Sequence, residues 1–185
     1  MIDVNQLRKG TTFLDDGQIW KVLTYSHNKP GRGNATIRVG VRNMRTGSTR
    51  EMTFNSGVRV QDIRVESKPV QFLYSDSEFL TFMDMETYEQ PQIRREIFGD
   101  DMLYLTENLM ITLSSYEGEI IDYELPTTVE LKVVESEPSY AGDTANNPTK
   151  KVTTETGLMV SVPMFVNIGD VIRIKTDDSS YVTRV

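Results

Sequence analysis

Apolar and polar residues alternate in short runs along much of the chain. The run from Ile19 to Tyr25 has this pattern, and so does the run from Ile37 to Arg42. A period of two is typical of β-strands with one buried face, whereas amphipathic helices repeat about every 3.6 residues. The pattern therefore predicts an all-β protein.

Residues that favour tight turns separate these runs. They are Asp15-Asp16-Gly17, Arg45-Thr46-Gly47-Ser48, Asn55-Ser56-Gly57, Ser75-Asp76-Ser77-Glu78, Glu117-Gly118 and Asp177-Asp178. Glycine accepts positive φ, and Asn, Asp and Ser side chains hydrogen-bond to nearby backbone groups, so such clusters favour chain reversal. One segment instead has helix signals, with Pro91 at its start and Gly99 at its end. Several short strands and one short helix are typical of small barrels.

The runs group into three modules, at residues 1–64, 65–126 and 127–185. We expect a small barrel in the first module, with a core formed by six apolar residues. These are Phe13, Trp20, Val22, Ile37, Val39 and Phe54. The second module, which contains the helical segment, and the third are expected to be OB-type barrels, because both consist of several short strands.

Charge is distributed unevenly over the three modules. Residues 1–64 contain 11 Lys or Arg against 5 Asp or Glu, residues 65–126 contain 3 against 14, and residues 127–185 contain 6 against 8. The net charge of −7 thus hides a basic first module and a strongly acidic second one. We expect the first module to face phosphates, and the second to face solvent, protein or cations.

Composition limits the class of protein further. The chain has 185 residues, of which 38% are hydrophobic, enough for packed cores. No apolar run approaches the roughly 20 residues of a membrane span, and Met1 to Gln6 lack the basic start and apolar core of a signal peptide. We therefore expect a soluble, cytoplasmic protein that does not bind membranes. The absence of cysteine excludes disulfides, thiolate metal sites and cysteine nucleophiles.

The residue pattern offers no catalytic machinery. His27 is the only histidine and has no serine and carboxylate partners at a suitable spacing. The acid pairs Asp15-Asp16, Asp100-Asp101 and Asp177-Asp178 stand where a turn or a helix cap already explains them. They could serve as glycosidase-like carboxylates only if folding brought two of them together in a cleft. We expect neither an enzyme nor a metal site.

A basic turn, interrupted by glycines, joins the two alternating runs of the first module at residues 27–34. Pro30 has a fixed φ, while Gly31 and Gly33 can take positive φ on either side of Arg32. The pattern predicts a hairpin tip that displays the Arg32 guanidinium. The alternative is an ordinary polar turn, in which Lys29 and Arg32 only keep a sheet edge soluble.

Four segments together resemble bacterial translation elongation factor P, in the order and spacing of that family. They are Lys29-Pro30-Gly31-Arg32-Gly33, Asp84-Met85-Glu86-Thr87-Tyr88-Glu89-Gln90, Gly142-Asp143-Thr144, and the stretch from Lys150 through Gly157 and Val162-Pro163 to Gly169. The resemblance covers essentially the whole chain. It departs from the family at Val152, where alanine is usual, and at Asn146-Asn147, where glycine is common.

The resemblance implies three small barrels in an elongated, L-shaped arrangement, in which an SH3-like (KOW-like) barrel is followed by two OB-fold barrels. It implies a monomeric, non-enzymatic factor that binds both subunits of the 70S ribosome, between the peptidyl and exit sites. There the factor would promote peptide-bond formation on ribosomes stalled at consecutive prolines.

The resemblance also implies roles for particular residues. Arg32 would contact the acceptor end of the peptidyl-tRNA, supported by Lys29, Pro30, Gly31 and Gly33. The loop at Gly142, Asp143 and Thr144 would approach the exit-site codon, and Tyr181 and Arg184 would be RNA contacts. A fixed cation can order a mobile substrate without supplying acid, base or nucleophile.

Three questions stay open at this stage. In the family, an arginine at the tip suggests rhamnosylation by a modifying enzyme, but such forms usually have serine where Pro30 stands, so a bare Arg32 stiffened by Pro30 is the alternative. The chain could also be a paralogous ribosome factor with a different stall preference. A generic OB-fold protein that binds single-stranded nucleic acid is the third alternative.

Overall fold

A six-stranded antiparallel sheet forms the amino-terminal part of the molecule. The computed structural model describes residues 1–29, 31, 33, 35–138 and 148–185. The first six strands are β1 (Ile2–Asp3), β2 (Thr12–Asp15), β3 (Gln18–Asn28), β4 (Thr36–Asn43), β5 (Thr49–Asn55) and β6 (Arg59–Asp62). They lie in the order β1-β6-β2-β3-β4-β5, and a 3₁₀ helix, Val4–Gln6, follows β1. Consecutive strands β2 to β5 thus pair as hairpins, as their Asp-Gly and Thr-Gly turns predict.

The predicted core of this sheet is buried, with one partial exception. Phe13, Ile37 and Val39 have no solvent exposure, and Trp20 retains 4%. Phe54 is only half-buried because it lies on the edge strand β5, where it packs edge-to-face on Phe13 with ring centroids 6.3 Å apart. The alternation of apolar residues did not identify Val4 and Leu7, which precede β2 and are completely buried.

A five-stranded sheet occupies the middle of the chain. Its strands are β7 (Glu66–Ser75), β8 (Phe79–Asp84), β9 (Gln92–Arg94), β10 (Met110–Tyr116) and β11 (Glu119–Glu124). The strand order is β11-β10-β7-β8-β9. Between β9 and β10 lie α1 (Arg95–Phe98) and a second 3₁₀ helix, Gly99–Tyr104.

The prediction that a helix begins at Pro91 is wrong. Ile93 is buried in strand β9 and pairs with Leu80 of β8. The carbonyl of Pro91 accepts the N–H of Phe82 at 3.0 Å. Proline is tolerated at the start of an edge strand, where its missing N–H is not needed. The helix begins only at Arg95 and ends at Gly99, whose φ is +52°.

The last sheet has the same number of strands. It contains β12 (Thr128–Ser136), β13 (Thr149–Thr154), β14 (Met159–Pro163), β15 (Val171–Lys175) and β16 (Tyr181–Arg184), in the order β14-β13-β12-β15-β16. Leu131 and Val133 of β12, with Ile172 and Ile174 of β15, have no solvent exposure. Tyr104, from the second 3₁₀ helix, joins this core. The all-β fold with barrel-like sheets is confirmed.

The chain divides into two compact units. One contains residues 1–67 and 113–122, and the other contains residues 68–112 and 123–185. The module boundaries predicted after residues 64 and 126 stay predictions. Among the residues that the structure describes, no helix has both the length and the apolar character needed to cross a bilayer.

Candidate nucleic-acid interface

Strands β3 and β4 form a long antiparallel ribbon in the first sheet. Their pairing runs from Trp20 opposite Asn43 to Asn28 opposite Thr36. On β3, every residue beyond Val22 is at least partly exposed. On β4, burial continues as far as Ile37. Tyr25 is half-buried and packs against the core of this sheet, whereas the last residues of β3, Ser26 to Asn28, are exposed and available for contacts with a partner.

A β-bulge interrupts the ribbon midway, where the register shifts between Val22 and Thr24. The N–H of Gly40 donates to Thr24 Oγ1 at 3.1 Å. A Cβ atom on residue 40 would lie 2.5 Å from the same oxygen, so any other residue here would displace the Thr24 hydroxyl from this hydrogen bond. Because a bulge bends and twists its strand, this feature sets the direction of the outer half of the ribbon.

The predicted tip connects the exposed ends of this ribbon. Lys29, Gly31 and Gly33 are exposed. Gly33 has φ +110°, a conformation that side-chain-bearing residues rarely adopt, whereas Gly31 has no positive φ. Pro30 and Arg32 lie outside the described residues. The assignment of Arg32 as the residue that contacts tRNA, with its four supporting neighbours, stays a prediction.

Basic side chains of the same sheet are engaged with neighbours. The Arg50 guanidinium lies over the Trp20 ring, 4.1 Å from its centroid. Trp20 is thus covered as well as buried, which favours a core residue over a platform for base stacking. Arg38 Nε on β4 lies 3.3 Å from Glu51 Oε1 in an ion pair of two exposed side chains. His27 and Lys29, beside the tip, are exposed.

The two predicted RNA contacts near the carboxyl end both lie on β16. Tyr181 is half-buried and packs against the core of the last sheet. Arg184 Nη1 lies 3.4 Å from Asp170 Oδ2, and its guanidinium is 5.4 Å from the centroid of the Phe165 ring. The backbone N–H of Asn167 donates to Asp170 and lowers the pKa of that carboxyl, and Arg184 lowers it further.

The residues around Arg184 include two that the sequence reasoning missed. Phe165 and Ile168 are 56% and 63% exposed, although both are large and apolar. Val166 between them is completely buried. The sequence does contain one indication of their exposure: the few residues between Pro163 and Gly169 are too short a segment for another strand, so they form a loop. An exposed aromatic ring beside an arginine is suited to stacking on a base.

The predicted codon loop at Gly142, Asp143 and Thr144 lies outside the described residues. Its base is described. Glu137 N–H donates to the carbonyl of Lys151 at 3.0 Å, and Lys151 N–H donates back to Glu137 Oε2 at 3.3 Å. These reciprocal bonds close the strands β12 and β13 below the loop.

The segment at residues 84–90 is a compact turn between β8 and β9. Asp84, only 5% exposed, accepts the N–H groups of Glu86 and Thr87 at 2.8 and 3.1 Å. These two hydrogen bonds are the main reason that the pKa of the Asp84 carboxyl is lowered. The positive charge of Lys68 lowers this pKa further. Tyr88 is 70% exposed at φ +60°. The acidic residue at the head of this segment therefore has a structural role in the turn.

The described residues contain no group of three or more His, Cys, Asp or Glu side chains that could hold a metal ion. Two of the predicted acid pairs, Asp15-Asp16 and Asp177-Asp178, lie at local turns, and Asp100-Asp101 lies in the first turn of the second 3₁₀ helix. Asp16 takes φ +49° between β2 and β3, and Asp178 accepts the N–H of Ser180 at 2.9 Å. Asp101 instead accepts the hydroxyl of Tyr123 at 2.7 Å. Each of these carboxylates thus has a structural partner or a place in a turn.

Three family models match the chain in succession. The elongation factor P KOW-like domain matches residues 3–60, the elongation factor P OB domain matches residues 65–123, and the elongation factor P C-terminal domain matches residues 129–184. The chain belongs to the elongation factor P family. It is therefore a translation factor of the type that acts on the ribosome.

Two solved structures are similar to this chain. The eukaryotic translation initiation factor 5A from Methanococcus jannaschii is 19% identical, with a TM-score of 0.54 over 67% of this chain and 93% of that one. A translation initiation factor eIF-5A family protein from Naegleria fowleri is 15% identical, with a TM-score of 0.47 over 67% of this chain and 96% of that one. At 19% identity, the first match supports the fold alone.

Proposed function

We propose that this family member binds the ribosome between the peptidyl and exit sites and promotes peptide-bond formation at consecutive prolines. The observation that carries the proposal is the β3–β4 ribbon. In a chain that matches the elongation factor P models from end to end, the outer half of β3 is exposed and leads to a basic turn. Arg32, in that turn, contacts the acceptor end of the peptidyl-tRNA.

The chemistry of this proposal is positional. An arginine held by a paired ribbon can order the flexible acceptor end through its phosphates and terminal bases, which lowers the entropic part of the barrier. The factor supplies no acid, base or nucleophile, and ribosomal RNA remains the catalyst. Prolyl substrates gain most because the fixed φ of proline restricts the geometry of attack.

Charge supports the orientation of the bound factor. The first module, with 11 Lys or Arg against 5 Asp or Glu, faces the tRNA phosphates, and the acidic second module faces protein or solvent. In the third module, the loop at Gly142, Asp143 and Thr144 approaches the exit-site codon. Tyr181 and Arg184 contact RNA near the small subunit.

Peptide synthesis through a Pro-Pro-Pro sequence on purified ribosomes tests the proposal. Arg32→Ala is expected to lose the stimulation given by the native factor, because the variant lacks the guanidinium that contacts the acceptor end in this proposal. Arg59→Ala is the matched control, since it removes the same charge from an exposed position on β6 of the same sheet. If Arg32→Ala stimulates synthesis as well as Arg59→Ala does, the proposed mechanism is wrong.

The same assay separates the two forms of Arg32. We propose that Arg32 acts either with a covalently attached rhamnose or as a bare arginine, and the intact mass of the protein from its native host decides between the two forms. An increment of one deoxyhexose on Arg32, together with weaker stimulation by protein lacking it, supports the modified form. An unmodified mass with full stimulation instead shows that the bare arginine, stiffened by Pro30, is sufficient.

Two further measurements separate the alternative functions. Ribosome profiling of a deletion strain is expected to show pauses at consecutive prolines, and pauses at other sequences would indicate a paralogous factor. Tight, salt-sensitive binding of free oligonucleotides would indicate a generic single-stranded nucleic-acid-binding protein.

A further inference from the structure

Two ion pairs join the inner end of the β3–β4 ribbon to the β10–β11 hairpin. Lys21 Nζ lies 2.6 Å from Asp122 Oδ2. Arg45 donates to Glu119 from two nitrogens, with Nη2 at 2.9 Å from Oε2 and Nε at 3.3 Å from each carboxylate oxygen. All four residues belong to one compact unit. They also connect the first family-model domain to the second, which covers residues 65–123.

The geometry of these pairs is more constrained than that of an ordinary surface ion pair. The Asp122 side chain is only 17% exposed. The forked contact of Arg45 with Glu119 restricts both distance and angle. The hydrogen bond and charge of Glu119 raise the pKa of Arg45, and the hydrogen bond from Arg45 lowers the pKa of Glu119.

Arg45 is itself anchored to the ribbon. Its backbone N–H donates to Asn43 Oδ1 at 2.9 Å, and Asn43 Nδ2 donates to Gln18 Oε1 at 3.0 Å. Gln18 is the first residue of β3 and Asn43 is the last of β4. The two ion pairs therefore act on the inner end of the ribbon, opposite the tip.

The length of the ribbon converts a small rotation at this end into a large displacement at the other. The eight residues from Lys21 to Asn28 span about 23 Å of extended strand, so a tilt of about 5° moves the outer end by about 2 Å. A misplacement of about 1 Å can slow a reaction that depends on positioning by about 10²-fold. Ion pairs at a protein surface contribute little to the free energy of unfolding. The effect of these two pairs is therefore expected on the orientation of the ribbon.

We propose that Lys21, Arg45, Glu119 and Asp122 form a clamp that aims the ribbon, and that these four are positioning residues for the tip. Only the expected effect of the clamp on ribosomal peptide synthesis rests on the proposed function. The clamp itself can be tested in the free protein.

Spin-label distances measure the clamp directly. Because the sequence has no cysteine, Ser26→Cys on the outer half of β3 and Glu117→Cys in the β10–β11 turn provide the only two labelling sites. With both labels present throughout, Glu119→Gln combined with Asp122→Asn is expected to broaden the distance distribution measured by pulsed electron paramagnetic resonance. An unchanged distribution would overturn the clamp.

Two controls accompany this experiment. Glu130→Gln breaks a similar pair, in which Glu130 lies 2.7 Å from Arg173 with comparable exposure, but within the last sheet, and it should leave the distribution unchanged. The exchange of Lys21→Asp with Asp122→Lys reverses one pair, and it should restore a narrow distribution that Lys21→Asp alone broadens. If the exchange fails to restore it, specific pairing is not the cause.

On the ribosome, the positioning role predicts that loss of the clamp changes the maximal rate of synthesis but not the affinity of the factor. Loss of the clamp should lower the maximal rate of Pro-Pro-Pro synthesis about tenfold, while the factor concentration for half-maximal stimulation changes little. Broadened distances with an unchanged maximal rate would overturn the positioning role. Full activity of Arg32→Ala would instead overturn the proposed function and leave the distance measurement as the test of the clamp.

Discussion

The two ends of the β3–β4 ribbon differ in what their side chains contact. At the inner end, Trp20 is buried beneath Arg50, and Lys21 is held by Asp122. At the outer end, His27 and Lys29 are exposed. One pairing register, shifted only at the bulge, continues through both ends.

Stability and recognition are thus separated along a single structural element. The inner residues bury apolar surface, which supplies the free energy of folding. On β3, the outer residues from Ser26 to Asn28 are exposed and contribute little to that energy, so they can be chosen for a partner, whereas Ile37 opposite them on β4 is buried. A small barrel has few core residues to lose, and placing the contact surface on an extension avoids weakening its core.

Trp20→Ala, at the inner end of the ribbon, should have the largest effect on stability of the variants considered. Removing a buried tryptophan typically costs about 3–5 kcal/mol of the free energy of unfolding, which urea denaturation measures. His27→Ala, on the same strand but exposed, should change it by less than about 0.5 kcal/mol. Similar losses for the two variants would contradict the division of the ribbon.

Gly40→Ala tests the boundary between the two ends. The new Cβ would lie 2.5 Å from Thr24 Oγ1, so the hydroxyl must rotate and lose its hydrogen bond. We expect a loss of about 1–3 kcal/mol, as for other overpacked sites. Combined with Thr24→Ala, which removes the obstructing oxygen, the loss should be smaller than the sum of the single losses. Strict additivity would show that the close approach is not the cause.

Acidification should weaken the clamp at the inner end, with the smallest effect of the three. The folded-state pKa of Glu119 is depressed, mainly by the hydrogen bond from Arg45. Its contribution is therefore present above the unfolded-state pKa and is lost as pH falls through the lower, folded value. The difference in stability between the native protein and Glu119→Gln should be present at neutral pH and vanish in acid. A difference that persists after protonation would exclude the Glu119 charge as its source.

Much of each sheet could be predicted from the sequence, whereas the contacts between distant elements could not. The alternation in residues 37–41 predicts buried β4 residues correctly, and Asp16-Gly17 and Glu117-Gly118 form the expected hairpin turns with positive φ. The helix expected from Pro91 failed because proline suits the start of an edge strand as well as the start of a helix. The choice between them depends on β8, which lies alongside.

The candidate site, too, could be predicted from the sequence only in part. The sequence indicated a basic turn between two strands, and the exposed Lys29 and the positive φ of Gly33 agree with a tight reversal there. The roles of Arg32 and of residues 142–144 remain predictions from the family. The exposure of Phe165 and Ile168 could not be predicted, because hydrophobicity alone does not report which side of a loop faces solvent.

By itself, the sequence determined the strands, their turns, most of the barrel cores and the family, because periodicity and turn chemistry act between residues close in the chain. Only the tertiary structure decided which charges meet. Lys21 and Asp122 are 101 residues apart, and nothing local distinguishes them from other charged strand residues. Their pairing arises because folding places the β3–β4 ribbon beside the β10–β11 hairpin.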